Sequence, residues 1–299
     1  LEFRHSGYER NADRGWLVTV EFTAIEGRPP MECLGMEKLW EGSFPYGDTL
    51  KSIEEFLPPI PVVNRTGAAF ARLRVLQTGH GMDDQENCAV FCGKYRRVYF
   101  DSTLVEEKPI WRECGDNPLS PQAGTWIYDR AGWCPGSMVE PDCYDLPVSP
   151  GSRHALNIDM QEYVNHKHPS ASYVVSSSLF WYTDRWAGND ATLEEILSPS
   201  GDDRYRRLNP VCANPRIRMR NNGRTPLRSV TVAYGLEGAA ERTFRWEGML
   251  PPGASAELSL PGLLAFSEGS HRFRVGLASP NGTKDEYPDD NALSSTAEV

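Results

Sequence analysis

The 299-residue sequence lacks long apolar runs, an excess of positive charge and sustained helical periodicity. No run of about 18 apolar residues occurs, so the sequence predicts no membrane-spanning helix. The formal net charge of -10 at pH 7 argues against a nucleic-acid partner, because phosphate binding needs a basic surface. Neither a glycine-rich nucleotide loop nor a G-x-S-x-G elbow is present, so we expect no phosphate cofactor and no serine hydrolase of that type.

Turn-forming residues are abundant by contrast, with 26 Gly and 23 Pro. They separate segments of strand-like alternation such as "WLVTVEFTAI", "AAFARLRVLQTG" and "SYVVSSSLFWYT". Helical signal is confined to "TLKSIEEFL" and "ATLEEILSPS", each of which predicts a short helix. The sequence therefore predicts an all-β protein, with a jelly-roll sandwich followed by a smaller Ig-like sandwich.

The character of the sequence changes near residues 200–213, after which strands become short and regularly spaced. We expect residues 13–207 to form the jelly roll and residues 208–299 the second module. The motifs "RNNG", "WEGMLPPG" and "NGTKDEYPDDN" resemble the CARDB type of bacterial Ig-like domain, which implies a spacer or adhesion-type unit. The acidic turn at residues 285–291 could hold a calcium ion through oxygen ligands; a solvated acidic turn is the plainer alternative.

Seven cysteines lie around turns and near tryptophans, as in an oxidised extracytoplasmic protein. This pattern predicts a secreted or periplasmic location. Zinc binding is the alternative, but "CAVFC" has no second close cysteine pair to complete a ribbon-type site. The odd count leaves at least one thiol without a partner in the chain. The cysteines are Cys33, Cys88, Cys92, Cys114, Cys134, Cys143 and Cys212.

Two cysteine pairs are candidates for disulfides. An extended strand would place the Cα atoms of Cys88 and Cys92 about 13 Å apart, so a bond between them requires a tight turn. Such a knuckle could fix one side chain at a site, or simply stabilise a long loop. A bond between Cys114 and Cys134 would close a loop of about 20 residues, which the chain-entropy model values at about 3 kcal/mol.

The segment "WIYDRAGWCPG", at residues 126–136, lies against the second of these bonds. Its aromatic side chains could form a sugar-binding surface with a fixed cation, since aromatic faces pack on apolar sugar faces while Arg and Asp bond hydroxyls. The alternative is that the tryptophans are core residues and the arginine pairs locally. The candidate binding residues are Trp126, Tyr128, Asp129, Trp133 and, on the knuckle, Phe91.

The motifs "TGHG", "NCAVFC" and "WRECGDNPLSPQAGTWIYDRAGWCPG" resemble the C-terminal jelly roll of the peptide:N-glycosidase F family, over about residues 9–190. That family hydrolyses the amide between an N-glycan and asparagine, through acidic side chains and water, without a metal or cofactor. The resemblance implies an N-glycosylated protein or glycopeptide as partner. It assigns Arg130 to the active-site arginine, His80 to the family's "GH" turn and Glu9 to a glutamate at the inter-domain junction.

The sequence departs from the family pattern at the knuckle. Val90 stands where the family has a glutamate, and Phe91 replaces a tryptophan. Because general acid–base catalysis contributes roughly 10²–10⁴-fold, loss of that carboxylate would impair hydrolysis. Asp83, Asp84 and Glu86 are nearby acids, or else a solvated acidic loop. Residues 1–12 would be the last strand of a preceding jelly roll, whose catalytic aspartate would belong to an additional N-terminal domain or chain.

Three functions follow from these residues. The first is an N-glycan amidase, and the second is a non-catalytic glycan- or glycoprotein-binding module that has lost the acids. The third is a copper-dependent monooxygenase-like protein, because the family shares that architecture and His166 and His168 would lie on one face of a strand. No third copper ligand is evident in the sequence.

Overall fold

The computed structural model describes residues 20, 28–82, 86–115, 117, 123–165, 171–202, 204–205, 209, 214–262 and 268–298. Within these residues the regular structure consists of β-strands and short 3-10 turns, three of which lie wholly within the described residues, and no α-helix occurs in them. These three 3-10 turns span Ile53–Glu55, Pro280–Gly282 and Pro288–Asp290. The prediction of an all-β fold is confirmed.

The first eight strands form two four-stranded antiparallel sheets with the strand order of a jelly roll. One sheet has the order β1-β8-β3-β6 and the other β2-β7-β4-β5. The strands are β1 Cys33–Pro45, β2 Ile60–Val63, β3 Phe70–His80, β4 Lys94–Phe100, β5 Thr103–Ile110, β6 Asp142–Pro147, β7 Arg153–Met160 and β8 Ser172–Tyr182.

Alternation along the central strands explains why this sequence forms a sandwich. In β3 and β8, buried residues recur at every second position, so each strand turns one face towards the opposite sheet. Leu73 and Trp181 from the first sheet and Leu156 and Ile158 from the second belong to one apolar core. β3 ends at His80, at the rim of this core, and there the chain builds the site described below.

The last seven strands form a second pair of antiparallel sheets with a core of their own. A three-stranded sheet has the order β13-β10-β9, and a four-stranded sheet has the order β12-β11-β14-β15. The strands are β9 Ala191–Ser198, β10 Arg216–Asn221, β11 Leu227–Leu236, β12 Arg242–Leu250, β13 Ser255–Ser259, β14 Ser270–Ala278 and β15 Ala292–Glu298.

The helix predicted for "ATLEEILSPS" is wrong, because this segment is β9 and pairs with β10. Its buried residues include Leu193 and Ile196, which pack into the second core opposite Met219 and Ile217 of β10, with an irregularity of register between them. β9 therefore lies in the C-terminal sandwich although it precedes the expected boundary at residue 208. The segment between Tyr182 and Ala191 connects the two pairs of sheets.

Both predicted disulfides are present, Cys88–Cys92 and Cys114–Cys134. The Cα atoms of the first pair lie 4.9 Å apart, so residues 88–92 form the tight turn that the spacing requires. Cys33 and Cys143 are exposed and carry no disulfide, and Cys212 lies outside the described residues. In the part of the chain that the structure describes, no helix is long and apolar enough to cross a membrane.

Candidate functional site

Three segments converge at the end of β3, and we call them the three-segment cluster: residues 79–82, 87–92 and 125–134. Main-chain hydrogen bonds join all three. Val90 N donates to Gly81 O at 3.0 Å, Ala131 N donates to Val90 O at 2.9 Å, and Gly79 N donates to Ala131 O at 2.9 Å. The disulfide turn is therefore wedged between the end of β3 and the segment "WIYDRAGWCPG".

Two glycines allow the segments to approach this closely. A Cβ atom on Gly79 would lie 2.2 Å from Ala89 O and 2.6 Å from the Cβ atom of Ala131. Gly132 has a φ of +79°, and a Cβ atom there would lie 2.3 Å from Gln77 O. Neither position has room for a side chain. The close packing of the three segments, and not only the backbone conformation of a turn, therefore requires glycine at both positions.

The second disulfide fixes the far end of the cluster. Cys134 is bonded to Cys114, whose main-chain N donates to Asp129 Oδ1 at 2.9 Å. The main chains of Arg112 and Arg130 also pair through two hydrogen bonds of 2.8 and 3.0 Å. The aromatic segment is thus held by a covalent bond, a side-chain bond and a two-residue bridge, which favours a single conformation.

Five of the predicted site residues form a continuous stack, which we call the Arg130 stack. The Arg130 guanidinium lies over the ring of Phe91 at 4.9 Å and over the ring of Trp133 at 4.6 Å. Tyr128 contacts Phe91 edge to face at 6.0 Å, and His80 stacks on Trp133 at 5.4 Å. Residues that are separated by up to 53 positions in the sequence therefore make one charged and aromatic unit.

Arg130 is held by more than its rings. Its Nη2 donates to the carbonyl oxygen of Thr125 at 2.7 Å and to Thr125 Oγ1 at 3.0 Å. The side chain is buried, and burial lowers its pKa from the ordinary value. The Nε of Arg130 is also buried and has no partner among the described residues, so one donor of this cation remains available to an acceptor.

His80 forms the other end of the stack. Its Nε2 lies 2.8 Å from Thr78 Oγ1, and the indole N–H of Trp133 donates to Gly79 O at 2.9 Å. Burial lowers the pKa of His80, which favours the neutral imidazole at neutral pH. His80 is thus a half-buried, uncharged ring, positioned by a hydroxyl on one side and an indole on the other.

An apolar surface depression of about 550 Å³ opens beside the Arg130 stack. Phe91, Tyr128 and Asp129 line it, as the sequence analysis expects of a binding surface. Asp129 is its one carboxylate among the described residues, and one of its oxygens is already fixed by Cys114 N. The other lining residues, which the sequence analysis did not name, are Met82, Asn87, Trp111, Thr125 and Ile127.

The remaining candidates do not line the depression. Trp126 is 4% exposed, and its buried indole N–H has no partner among the described residues. Arg130, Trp133 and His80 do not line it either, although the Arg130 guanidinium packs on the ring of the lining residue Phe91. Glu9 lies outside the described residues, as do Asp83 and Asp84.

Val90 provides no polar function to the cluster. Its side chain is 7% exposed, and its main-chain N and O atoms are both used in the bonds that join the three segments. Glu86, the described acid of the preceding loop, is exposed and pairs with Lys94 Nζ at 2.6 Å. Asp129 is therefore the described carboxylate that faces the depression.

Trp111 shows which signal was available and missed. It follows β5 directly, is 38% exposed and lines the depression, although its sequence neighbours gave it no obvious role. The available signal was its place at the start of "WRECGDNPLSPQAGTWIYDRAGWCPG", one of the motifs that carry the family resemblance. As for metals, no three His, Cys, Asp or Glu side chains among the described residues form a metal-binding group. His166 and His168 lie outside these residues.

Comparison with known proteins identifies the first sandwich. Residues 58–180 match the family model of "Peptide-N-glycosidase F, C terminal". This segment is similar to the C-terminal domain of peptide-N-glycosidase F. It begins just before β2, ends in β8 and includes the whole three-segment cluster. The family resemblance predicted from the cysteine and "DRAGWCPG" motifs is confirmed for this segment.

The chain is also similar to a curated relative and to two solved structures. The amidase F of Elizabethkingia miricola, a peptide-N(4)-(N-acetyl-beta-D-glucosaminyl)asparagine amidase, is 27% identical over 126 residues, which are 40% of this chain and 35% of the relative. The structure of PNGase F from Flavobacterium meningosepticum is 23% identical and covers 50% of this chain and 52% of that chain, at a TM-score of 0.44. The structure of PNGF-II is 17% identical and covers 50% and 30%, at a TM-score of 0.38. The chain thus spans about a third to a half of these proteins.

Proposed function

We propose that this protein acts on N-glycosylated proteins or glycopeptides as a peptide:N-glycosidase-like hydrolase, with the amide between the N-glycan and asparagine as its target. One observation carries the proposal: the family match at residues 58–180 contains the Arg130 stack and the apolar depression beside it. The sequence features that mark the family therefore include residues that build an aromatic recess of the jelly roll.

The chemistry of the depression suits a sugar. Tyr128, Phe91 and Trp111 offer aromatic surface for the apolar face of a sugar ring, and Asp129 offers a carboxylate oxygen for a hydroxyl. Arg130 packs on the ring of Phe91 and would act as a fixed positive charge with one unpaired N–H. A developing negative charge on an amide oxygen would be stabilised by such a preorganised cation.

A non-catalytic glycan-binding module is the second candidate, and Val90 favours it. The family's knuckle glutamate would occupy this position, and a buried valine neither accepts a proton nor holds a water molecule. In this alternative the aromatic depression binds the glycan and no bond is cleaved. The hydrolase needs an acid for proton transfer, and Asp129 is the described carboxylate at the depression that could supply it. The binding module needs no such role of Asp129.

We further propose an extracytoplasmic location, secreted or periplasmic, because disulfides persist in oxidising compartments. The second sandwich would act as an Ig-like spacer or adhesion unit that begins with β9 at Ala191. Its seven strands in two antiparallel sheets support this assignment.

The proposal is tested by release of glycan from a denatured N-glycoprotein, with Val90→Glu measured beside the native chain. Val105→Glu, at a 40% exposed position of β5, is the matched control that adds the same charge outside the three-segment cluster. Near-UV circular dichroism verifies that Val90→Glu keeps its fold, because the new carboxylate enters a buried position.

Each outcome assigns a function. Release by the native chain supports the hydrolase and directs attention to Asp129. Release by Val90→Glu alone means that the native domain binds glycoproteins and has lost its acid. Binding of a glycopeptide without release by either protein supports the binding module. Neither binding nor release by any of the three proteins contradicts both candidates.

A further inference from the structure

The second sandwich brings together polar side chains from two distant parts of the chain. Asp190 immediately precedes β9, and Asp290 and Asn291 immediately precede β15. The hydroxyl of Thr192 joins the two carboxylates, since its Oγ1 lies 3.4 Å from Asp190 Oδ1 and 2.7 Å from Asp290 Oδ2. The starts of β9 and β15 therefore meet at a pair of acids.

Three side-chain oxygens of Asp190, Asp290 and Asn291 have no hydrogen-bond partner among the described residues. Asp190 is 1% exposed and its Oδ2 is unpartnered; Asn291 is 7% exposed and its Oδ1 is unpartnered as well. Asp290 Oδ1 is also buried without a partner. A hydroxyl has a single proton, which Thr192 donates over the shorter distance to Asp290, so Asp190 is left with almost no hydrogen bonding.

The local charges make this arrangement costly unless a cation is present. The charged groups that act on Asp190 are all negative, namely Asp290, Asp285 and Glu286. Burial, followed by the charges of Asp290 and Asp285, raises the pKa of Asp190 to about 7. Burial raises the pKa of Asp290 too. A buried carboxylate without a partner is rare in native proteins, where such groups are paired or coordinate a metal.

Asp285 has a different task, because both of its oxygens are occupied. Its Oδ2 accepts from Ala191 N at 3.1 Å and its Oδ1 accepts from Tyr287 N at 2.8 Å. Glu286 likewise accepts from Asn189 N at 3.1 Å. These bonds clamp the loop before β15 onto the start of β9, and they position Asp190 and Asp290 without using the oxygens that remain unpartnered.

We propose that Asp190, Asp290 and Asn291 supply the protein ligands of a site for a hard divalent cation, with Ca²⁺ as the ion that fits best. Carboxylate and amide oxygens are the ligands that Ca²⁺ prefers, and water completes its shell of six to eight oxygens. The described residues contain no group of three His, Cys, Asp or Glu side chains that could bind a metal. The proposed site has only two such side chains, and its third ligand is the amide of Asn291. This site deepens the expectation of calcium at the acidic turn and adds Asp190, which lies far outside that turn.

The cation would act as a staple. It would join β9, the first strand of the second sandwich, to β15, the last one. Asp190 directly precedes β9, and Asn291 directly precedes β15. An ion that binds only the folded state stabilises that state by mass action. The second sandwich should therefore depend on Ca²⁺ for its stability, whereas the jelly roll, with a core of its own, should not.

Calorimetric titration and thermal unfolding of the full chain, after removal of metals with a chelator, test this proposal. We expect one Ca²⁺ per chain, a rise in the unfolding temperature with added Ca²⁺, and a weaker effect of Mg²⁺ at the same concentration. Asp190→Asn and Asp290→Asn should each weaken Ca²⁺ binding at least tenfold. Asp290 is only half-buried, so its variant is the better folded of the two if Asp190→Asn proves unstable.

Asp289→Asn is the matched control, because it removes the same charge from an exposed position of the same 3-10 turn. It should bind Ca²⁺ like the native chain. Absence of Ca²⁺ binding by the native protein would overturn the proposal and leave a proton shared between Asp190 and Asp290. Equal losses of Ca²⁺ affinity in Asp289→Asn and Asp190→Asn would overturn it as well. They would reflect nonspecific attraction of the cation to the negative charge of the turn.

Discussion

The Arg130 guanidinium lies 4.6 Å from the centre of the Trp133 ring, and the same indole stacks on His80. The charge that the family pattern places at the site is therefore embedded in the packing of the domain. It cannot be moved or removed without disturbing the rings on either side. We therefore propose that function and stability are coupled at this residue.

Replacement of Arg130 by Lys tests that coupling. Lysine keeps the charge but loses the planar group that packs on Phe91 and Trp133, and it cannot reproduce both bonds to Thr125. We expect a loss of stability on the order of 2 kcal/mol, since desolvated cation–π contacts and charged hydrogen bonds each contribute at that scale. Chemical denaturation measures it, and glycopeptide affinity should fall in the same variant.

Arg97→Lys is the control for that experiment. Arg97 also lies over an aromatic ring, that of Tyr95 at 4.7 Å, but its side chain is 39% exposed and its ion pair with Glu107 faces solvent. Exposed pairs contribute roughly 0–1 kcal/mol, so its change should be small. Equal effects in the two variants would contradict the account of Arg130 as a buried, structurally fixed cation.

A pair of glycines with the same backbone conformation separates strain from lack of space. Gly132 has a φ of +79° with Gln77 O in the position of its missing side chain, whereas Gly124 has a φ of +80° with nothing within 4 Å. Gly124→Ala should cost about 1 kcal/mol from backbone strain alone. Gly132→Ala should cost several-fold more by urea unfolding, because the three segments must separate. Similar costs would show that the close approach is unimportant.

The sequence predicted the β class, the jelly roll and both disulfides, because alternation and cysteine spacing are local signals. It also named the members of the Arg130 stack, yet it could not order them, since the contact of Arg130 with Phe91 depends on two loops meeting at the end of β3. Trp126 is buried, as in the alternative that the sequence left open, and the sequence could not decide between the two for the same reason. The helix predicted at Ala191–Ser198 failed because pairing with β10 overrides the local preference.

Removal of the Cys114–Cys134 bond tests what fixes the aromatic segment. A Cys114→Ser, Cys134→Ser double variant should lose about 3 kcal/mol, as expected for a loop of this length. Because Asp129 is anchored by Cys114 N, the depression should also lose glycopeptide affinity. Unfolding in urea and a binding titration check the two effects. A variant with unchanged affinity would mean that the segment is positioned without the bond.

The stability of the metal-free protein should fall as the pH rises from about 4, where Asp190 and Glu54 lose their protons in the unfolded chain, to about 7, where they lose them in the folded protein. Asp190 and Glu54 each have a pKa raised to about 7 in the folded state, mainly by burial, so the folded protein binds protons that the unfolded chain releases. The lowered pKa of His80 has the opposite effect, because it decreases stability as the pH falls. This effect is confined to pH values below the ordinary pKa of histidine.

Thermal unfolding across this pH range, in the presence of a chelator, measures the dependence. Asp190→Asn and Glu54→Gln should each flatten it, and the double variant should flatten it further. Added Ca²⁺ should remove the contribution of Asp190 and leave that of Glu54. A pH profile that is identical in the native chain and the double variant would contradict the assignment of these two carboxyl groups.

The central claim is that the depression beside Arg130 recognises an N-glycan, and one binding measurement tests it most directly. A glycopeptide and the same peptide without its glycan are titrated into the native chain and into Tyr128→Ala, whose side chain is exposed and lines the depression. The account predicts that the native chain binds only the glycosylated peptide and that Tyr128→Ala weakens this binding at least fivefold, as expected for loss of about 1 kcal/mol of aromatic contact. Equal affinity for both peptides, or an unchanged affinity in Tyr128→Ala, would contradict it.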